Sequence, residues 1–214
     1  MEMEKIAEIK MDKITMKTFR AQSSVLDKKW KKVSPKQKIY QAPNKRLAIA
    51  TETFDFLKDC NVLDIGCNQG LHSMMLSDRV NKVIGLEGNE NTYKRALCTQ
   101  QHFTSLGYDS SNVTFVNSSL KDFKDYQDIN AILACCCVYN MNDENIENFI
   151  TILKQCDKVV YQTRPAANNR TKDRSKYNLC LEKDVSKFLI SEGFSIVKHA
   201  HSNTKWPIFC AKRI

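Results

Sequence analysis

Asp64 and Glu87 each stand near the end of a short apolar run, and a turn carrying Gly66 and Gly70 lies between them. Val62-Leu63-Asp64-Ile65 reads as a buried strand. Leu71-His72-Ser73-Met74-Met75-Leu76 then opens a helix with apolar residues at helical spacing. Strand, glycine turn and helix form a unit that cradles nucleotides. Gly66 permits a backbone conformation that a Cβ would forbid, and lets a ligand come near. Gly70 falls where the helix presents unpaired N–H groups. The spacing is Gly-x-x-x-Gly, not the Gly-x-Gly-x-x-Gly of the dinucleotide fingerprint. Asp64 beside the turn would repel a pyrophosphate and suits a cationic ammonium or sulfonium. Glu87 closes the run Lys82-Val83-Ile84-Gly85-Leu86-Glu87. That is about 20 residues past the first glycine, where a carboxylate can hold both ribose hydroxyls. The combination describes a positively charged nucleoside. The alternative is an ordinary α/β core strand whose glycines only serve the turn.

Val62-Leu63-Asp64-Ile65-Gly66-Cys67-Asn68-Gln69-Gly70, followed by Val83-Ile84-Gly85-Leu86-Glu87, resembles the cofactor signature of class I S-adenosylmethionine-dependent methyltransferases. The resemblance implies a doubly wound α/β fold. Its seven-stranded sheet would be mostly parallel, with helices on both faces and an antiparallel last strand. It implies S-adenosyl-L-methionine as cofactor, held by Asp64, Gly66, Cys67, Asn68, Gly70, Glu87, Ser119, Leu120 and Cys135. Within that set Asp64 would orient the methionine amine, Glu87 would bind the ribose, and Ser119 with Leu120 would meet the adenine edge. Ser119 stands where the family usually has an acid, and Asn130 where it commonly has an Asp near the start of strand four. Tyr139 and Asn140 fall at the junction that faces the methyl group in many small-molecule and tRNA methyltransferases. Tyr40 lies in a region that often closes over the cofactor.

Further elements follow from pattern. A helix spans about 70–78, and another about 91–102 buries Tyr93, Ala96, Leu97 and Cys98. Strands are expected at 61–65, 82–86, 113–116, 129–135, 158–162, 194–197 and 206–211. The run 129–135 carries no charge, as a central strand should. Asn142-Asp143-Glu144 begins a helix reaching about Gln155, and Glu182 to Glu192 forms another that Gly193 ends. Residues 163–176 make a long polar loop with five basic groups, leaving the sheet edge where such folds bind ligands. Arg164, nearest the strand end, is a candidate for a phosphate or carboxylate of the substrate.

The chain has 214 residues, enough for a methyltransferase domain at 46–214 behind a helical extension or cap at 1–45. In that extension Ile6, Ile9, Ile14 and Phe19 recur at roughly helical intervals, and Lys28-Lys29-Trp30-Lys31-Lys32 is its most basic point. No apolar run approaches a membrane span, and the first residues lack the apolar core of a signal peptide. Nine cysteines include the adjacent Cys135, Cys136 and Cys137, without paired Cys-x-x-Cys spacing. They read as reduced core thiols of a cytoplasmic protein rather than disulfides, a metal site or a nucleophile. The formal net charge is +9. Residues 1–60 carry 14 basic and 8 acidic groups, 61–150 carry 6 and 11, and 151–214 carry 13 and 5. Basic flanks around an acidic centre favour RNA or another phosphorylated acceptor. A small-molecule acceptor is the second reading. A module that keeps the fold to bind RNA or protein without catalysis is the third. The sequence leaves oligomeric state open.

Overall fold

The computed structural model describes residues 53–105, 107–163, 177, 179, 181–201 and 207–214. The expected N-terminal extension, Tyr40, Lys28 to Lys32, and Arg164 with the rest of the basic loop lie outside the described residues. Seven strands form one sheet: β1 (Asn61–Ile65), β2 (Lys82–Glu87), β3 (Val113–Asn117), β4 (Ala131–Cys135), β5 (Lys158–Gln162), β6 (Phe194–His201) and β7 (Pro207–Arg213). Their order is β3-β2-β1-β4-β5-β7-β6. β1 to β5 pair in parallel, and β7 runs antiparallel to both β5 and β6. Among the described residues the α-helices are α1 (Leu71–Leu76), α2 (Glu90–Ser105), α3 (Asp143–Gln155) and α4 (Glu182–Ser191).

Alternation along the strands divides the core in two. Val62, Val83, Leu133 and Ile208 face one way, packing with Met74, Met75 and Leu76 of α1 and Phe103 of α2. Leu63, Ile84, Ile132 and Phe209 face the other, packing with Ile146, Phe149 and Ile152 of α3 and Val185 and Leu189 of α4. β1 and β4 are uncharged apart from Asp64, which suits strands covered on both faces. The winding reverses between β1 and β4, so a crevice opens beyond their carboxyl ends.

The observed strands follow the expected ones closely, with two informative differences. β4 starts at Ala131 rather than 129. Asn130, just before it, instead ties together the amino ends of β1 and β5, at the far end of the sheet from the crevice. Its Oδ1 accepts the Asn61 N–H at 2.8 Å, and its carbonyl accepts those of Asp157 at 2.8 Å and Lys158 at 3.3 Å. β6 continues to His201, well beyond 197, because β7 pairs with it through a register shift between Ile196 and Lys198.

Phe115 of β3 sets the spacing between sheet and helices on the α1–α2 face. A Cβ on Gly70 would lie 2.4 Å from its Cζ, and one on Gly85 would lie 2.5 Å from its Cδ1 and 2.9 Å from Ser73 Oγ. The ring is 6% exposed and occupies the space that two side chains would fill. Gly85→Ala should therefore cost about 1–3 kcal/mol by overpacking. Shrinking the ring in the same chain, with Phe115→Leu, should recover part of that loss. Denaturant midpoints of the two single variants and the double variant measure this; strictly additive losses would contradict it.

Candidate functional site

The crevice begins where β1 ends. Gly66 takes a φ of 64° and Gly70 one of 74°, both left-handed. Asn68 between them is also left-handed, at 55°, a conformation Asn tolerates better than most side chains. Its Oδ1 accepts the Gln69 N–H at 2.8 Å, and the Gly70 N–H donates to the Cys67 carbonyl at 3.0 Å. The turn is thus internally braced. A Cβ on Gly66 would lie 2.8 Å from Cys137 Cβ, so this glycine admits the segment after β4. Gly70 is packed under Phe115 and Ala96 rather than open.

Glu87 ties this turn to the next loop. Its Oε2 accepts the Asn68 N–H at 3.1 Å, and its Oε1 accepts the Asn89 N–H at 2.8 Å. Asn117 at the end of β3 donates from Nδ2 to the Glu87 carbonyl at 2.8 Å. The ends of β1, β2 and β3 are therefore joined through one residue. Beside them lies a cavity of about 420 Å³. Ile65, Gly66, Leu86, Glu87 and Gly88 form one wall. Ser118, Ser119 and Leu120 form a second, and Asn140, Met141, Asn142 and Asn145 a third. Glu87 is the one charged side chain among its described lining residues.

The expected site residues divide on this geometry. Gly66, Glu87, Ser119, Leu120 and Asn140 line the cavity together. Cys67, Asn68 and Gly70 belong to the turn beside it. Cys135 ends β4 and is not among the cavity's described lining residues. Tyr139 is 2% exposed within the short 3-10 turn Val138–Asn140 and is not among the cavity's described lining residues. Asp64 is 1% exposed and points beneath the turn, where Ser73 Oγ of α1 donates to its Oδ2 at 2.6 Å. It does not share the cavity wall with Glu87. Asn142 and Asn145 were not anticipated as lining residues. Their spacing is that of a cap: Asn142 Oδ1 accepts the Asn145 N–H at 3.2 Å at the start of α3.

Electrostatics separates the two acids. Burial pushes the Asp64 carboxyl up to about 7, offset in part by the Ser73 hydroxyl and reinforced by the charge on Glu87. The thiols are held protonated. Burial raises Cys67, Cys135 and Cys137 well above the ordinary thiol range and Cys156 to about 12. Cys137 Sγ donates to the Ile65 carbonyl at 3.0 Å, which fixes the post-β4 segment over β1. Burial also lowers His72 to about 4, and its ring packs edge-on against Phe54, so it is neutral at pH 7. Among the described residues, no three His, Cys, Asp or Glu are grouped to hold a metal, and no helix is long and apolar enough to cross a membrane.

A carboxyl that titrates near 7 when folded and near 3.8 when unfolded binds its proton more tightly in the folded chain. Its contribution to stability is full below about pH 4 and is lost as pH rises toward 7, with a span of roughly 4 kcal/mol. Asp64→Asn removes that titration. Denaturant unfolding should show wild type losing stability between pH 4 and 7 relative to the variant. Parallel pH profiles would contradict the assignment.

No family model matches the chain, and no curated protein matches it in sequence. Solved structures do match in fold. Magnesium protoporphyrin IX methyltransferase (ChlM) from Synechocystis, with bound SAH, superposes with a TM-score of 0.61 at 16% identity, covering 95% of this chain and all of that one. A putative tRNA (m1A22) methyltransferase from Streptococcus pneumoniae superposes at 0.52 and 15% identity, covering 79% of this chain and 70% of that one. The [4+2]-cyclase SpnF superposes at 0.58 and 14% identity, covering 85% and 84%. With β7 antiparallel between β5 and β6 and a crevice at the ends of β1 to β4, this chain has the Rossmann-like fold of the class I S-adenosylmethionine-dependent methyltransferases.

Proposed function

We propose that the chain binds S-adenosylmethionine in the cavity beside Glu87 and transfers its methyl group to an acceptor. The observation that carries this reading is the placement of Glu87. One acid stands alone on a largely apolar wall, at the end of β2, with each oxygen already engaged by one backbone N–H. Each carboxylate oxygen retains acceptor capacity, and together they match the two neighbouring hydroxyls of a ribose. Leu86, Leu120 and Met141 offer apolar surface for a base, and Ser119 a polar atom at its edge. ChlM, which shares the fold, was solved with SAH.

Bound there, S-adenosylmethionine supplies a methyl carbon already activated by its sulfonium. The protein then needs to position rather than to act as a strong base. The turn at Gly66 to Gly70 holds the amino-acid portion, and Asp64 with Ser73 fixes that turn from below. Asn140, which lines the same cavity, faces the acceptor in this reading, and Tyr139 beside it in the same turn supports it.

The acceptor in this reading is RNA or another phosphorylated molecule. What supports it is charge: 14 basic groups precede residue 61 and 13 follow residue 150. A neutral metabolite is the second reading, favoured by the modest cavity beside Glu87.

Calorimetry with S-adenosylmethionine tests the first step. Wild type should bind, and Glu87→Gln should weaken binding about 10-fold or more, since a hydrogen bond to a charged group is removed. Absence of binding by a folded wild-type chain would contradict the enzyme reading and favour a non-catalytic module. Salt tests the acceptor. RNA affinity should fall steeply with ionic strength, with a logarithmic slope of about −3 for four phosphates on a single strand. Turnover indifferent to salt would favour the metabolite.

A further inference from the structure

Ser119 occupies the position where the resemblance expects a carboxylate, yet a carboxylate stands beside it. Its hydroxyl donates to Asp122 Oδ2 at 2.5 Å. Ser119 caps the start of the 3-10 turn Leu120–Asp122 and Asp122 ends it, and the Asp122 N–H donates back to the Ser119 carbonyl at 3.2 Å. Helix α3 grips this turn from outside. Asn145 Oδ1 accepts the Lys121 N–H at 2.9 Å, and Asn148 Nδ2 donates to the Leu120 and Phe123 carbonyls. Ser119 lines the cavity, whereas Asp122 is exposed and is not among the described lining.

A hydroxyl alone is ambiguous: it can donate to a ligand or accept from one. A carboxylate only accepts. With the Ser119 O–H donated to Asp122, the lone pairs of Oγ are what remain for a ligand, and the charge beside them strengthens their pull on a donor. We propose that Asp122 is a positioning residue that commits Ser119 to accepting a hydrogen bond, and thereby selects a nucleobase with an exocyclic amine. This inference rests on the cofactor reading above. An adenine amine donates to such an oxygen. A hypoxanthine carbonyl at the same place finds an oxygen that cannot donate, and two acceptors face each other. The acid displaced by three positions thus restores the base discrimination that a serine by itself would lose.

The test compares S-adenosylhomocysteine with S-inosylhomocysteine by calorimetry, in wild type, Asp122→Ala, Asp122→Glu, Ser119→Ala and Glu87→Gln, with the melting temperature of each unliganded chain. Wild type should prefer the adenosyl ligand by about tenfold or more. Asp122→Ala should shrink that ratio to within about threefold by freeing the hydroxyl to donate. Ser119→Ala should shrink it as well, and Asp122→Glu should restore part of it. Glu87→Gln should weaken both ligands equally and leave the ratio intact. An unchanged ratio in Asp122→Ala, with both ligands weakened together, overturns the inference and assigns Asp122 to the structure of the turn. If wild type binds neither ligand, the cofactor reading falls and this inference with it. If it binds both ligands equally well, only this inference falls.

Discussion

The architecture around the cavity depends on a single carboxylate. Glu87 receives one backbone N–H from the turn after β1 and another from the loop after β2, while β3 reaches its carbonyl through Asn117. Three parallel strands end in loops that would otherwise be independent. An acid at the end of β2 resolves this by accepting from two of them at once. Charge-assisted hydrogen bonds of this kind are roughly twice as strong as neutral ones. The same atoms face the cavity, so the group that orders the loops is also the group that meets a ligand.

Packing explains how that edge holds its shape. Phe115 fills the space left by Gly70 and Gly85, which draws α1 and α2 onto β2 and β3. Cys137 sits over Gly66 and bonds the Ile65 carbonyl, which draws the segment after β4 onto the turn. α3 then closes the third wall, capped by Asn142 and bound to the Leu120–Asp122 turn through Asn145 and Asn148. Gly66, Gly70 and Cys137 therefore bring backbones close, and Gly66 lines the cavity as well.

Much of this was legible from residue order. β1 and β5 lie where the apolar runs place them, because buried parallel strands read as uninterrupted apolar segments. The antiparallel direction of β7 is what the resemblance implied, not what periodicity could show; its place between β5 and β6 emerged only in the fold. β6 outran its expected end because pairing with β7 holds polar residues such as Lys198 in the strand. Side-chain direction was less legible. Asp64 shares a face with Val62, and only the arrival of Ser73 from α1 makes that buried position tolerable. Tyr139 and Asn140 are neighbours in one 3-10 turn, yet the first is buried and only the second is among the cavity's described lining. Asn145 and Asp122 were hidden because each acts through hydrogen bonds to a turn that only the folded chain brings near.

The fold by itself leaves the reaction open, since methyltransferases and a [4+2]-cyclase both superpose on it. What narrows it is the chemistry of one wall, where an isolated acid meets apolar surface. The most direct measurement is a crystal structure of the chain with S-adenosylhomocysteine. The account expects the ribose hydroxyls against Glu87 and the base beside Ser119 and Leu120. A ligand bound elsewhere, with this crevice closed by the chain itself, would contradict it.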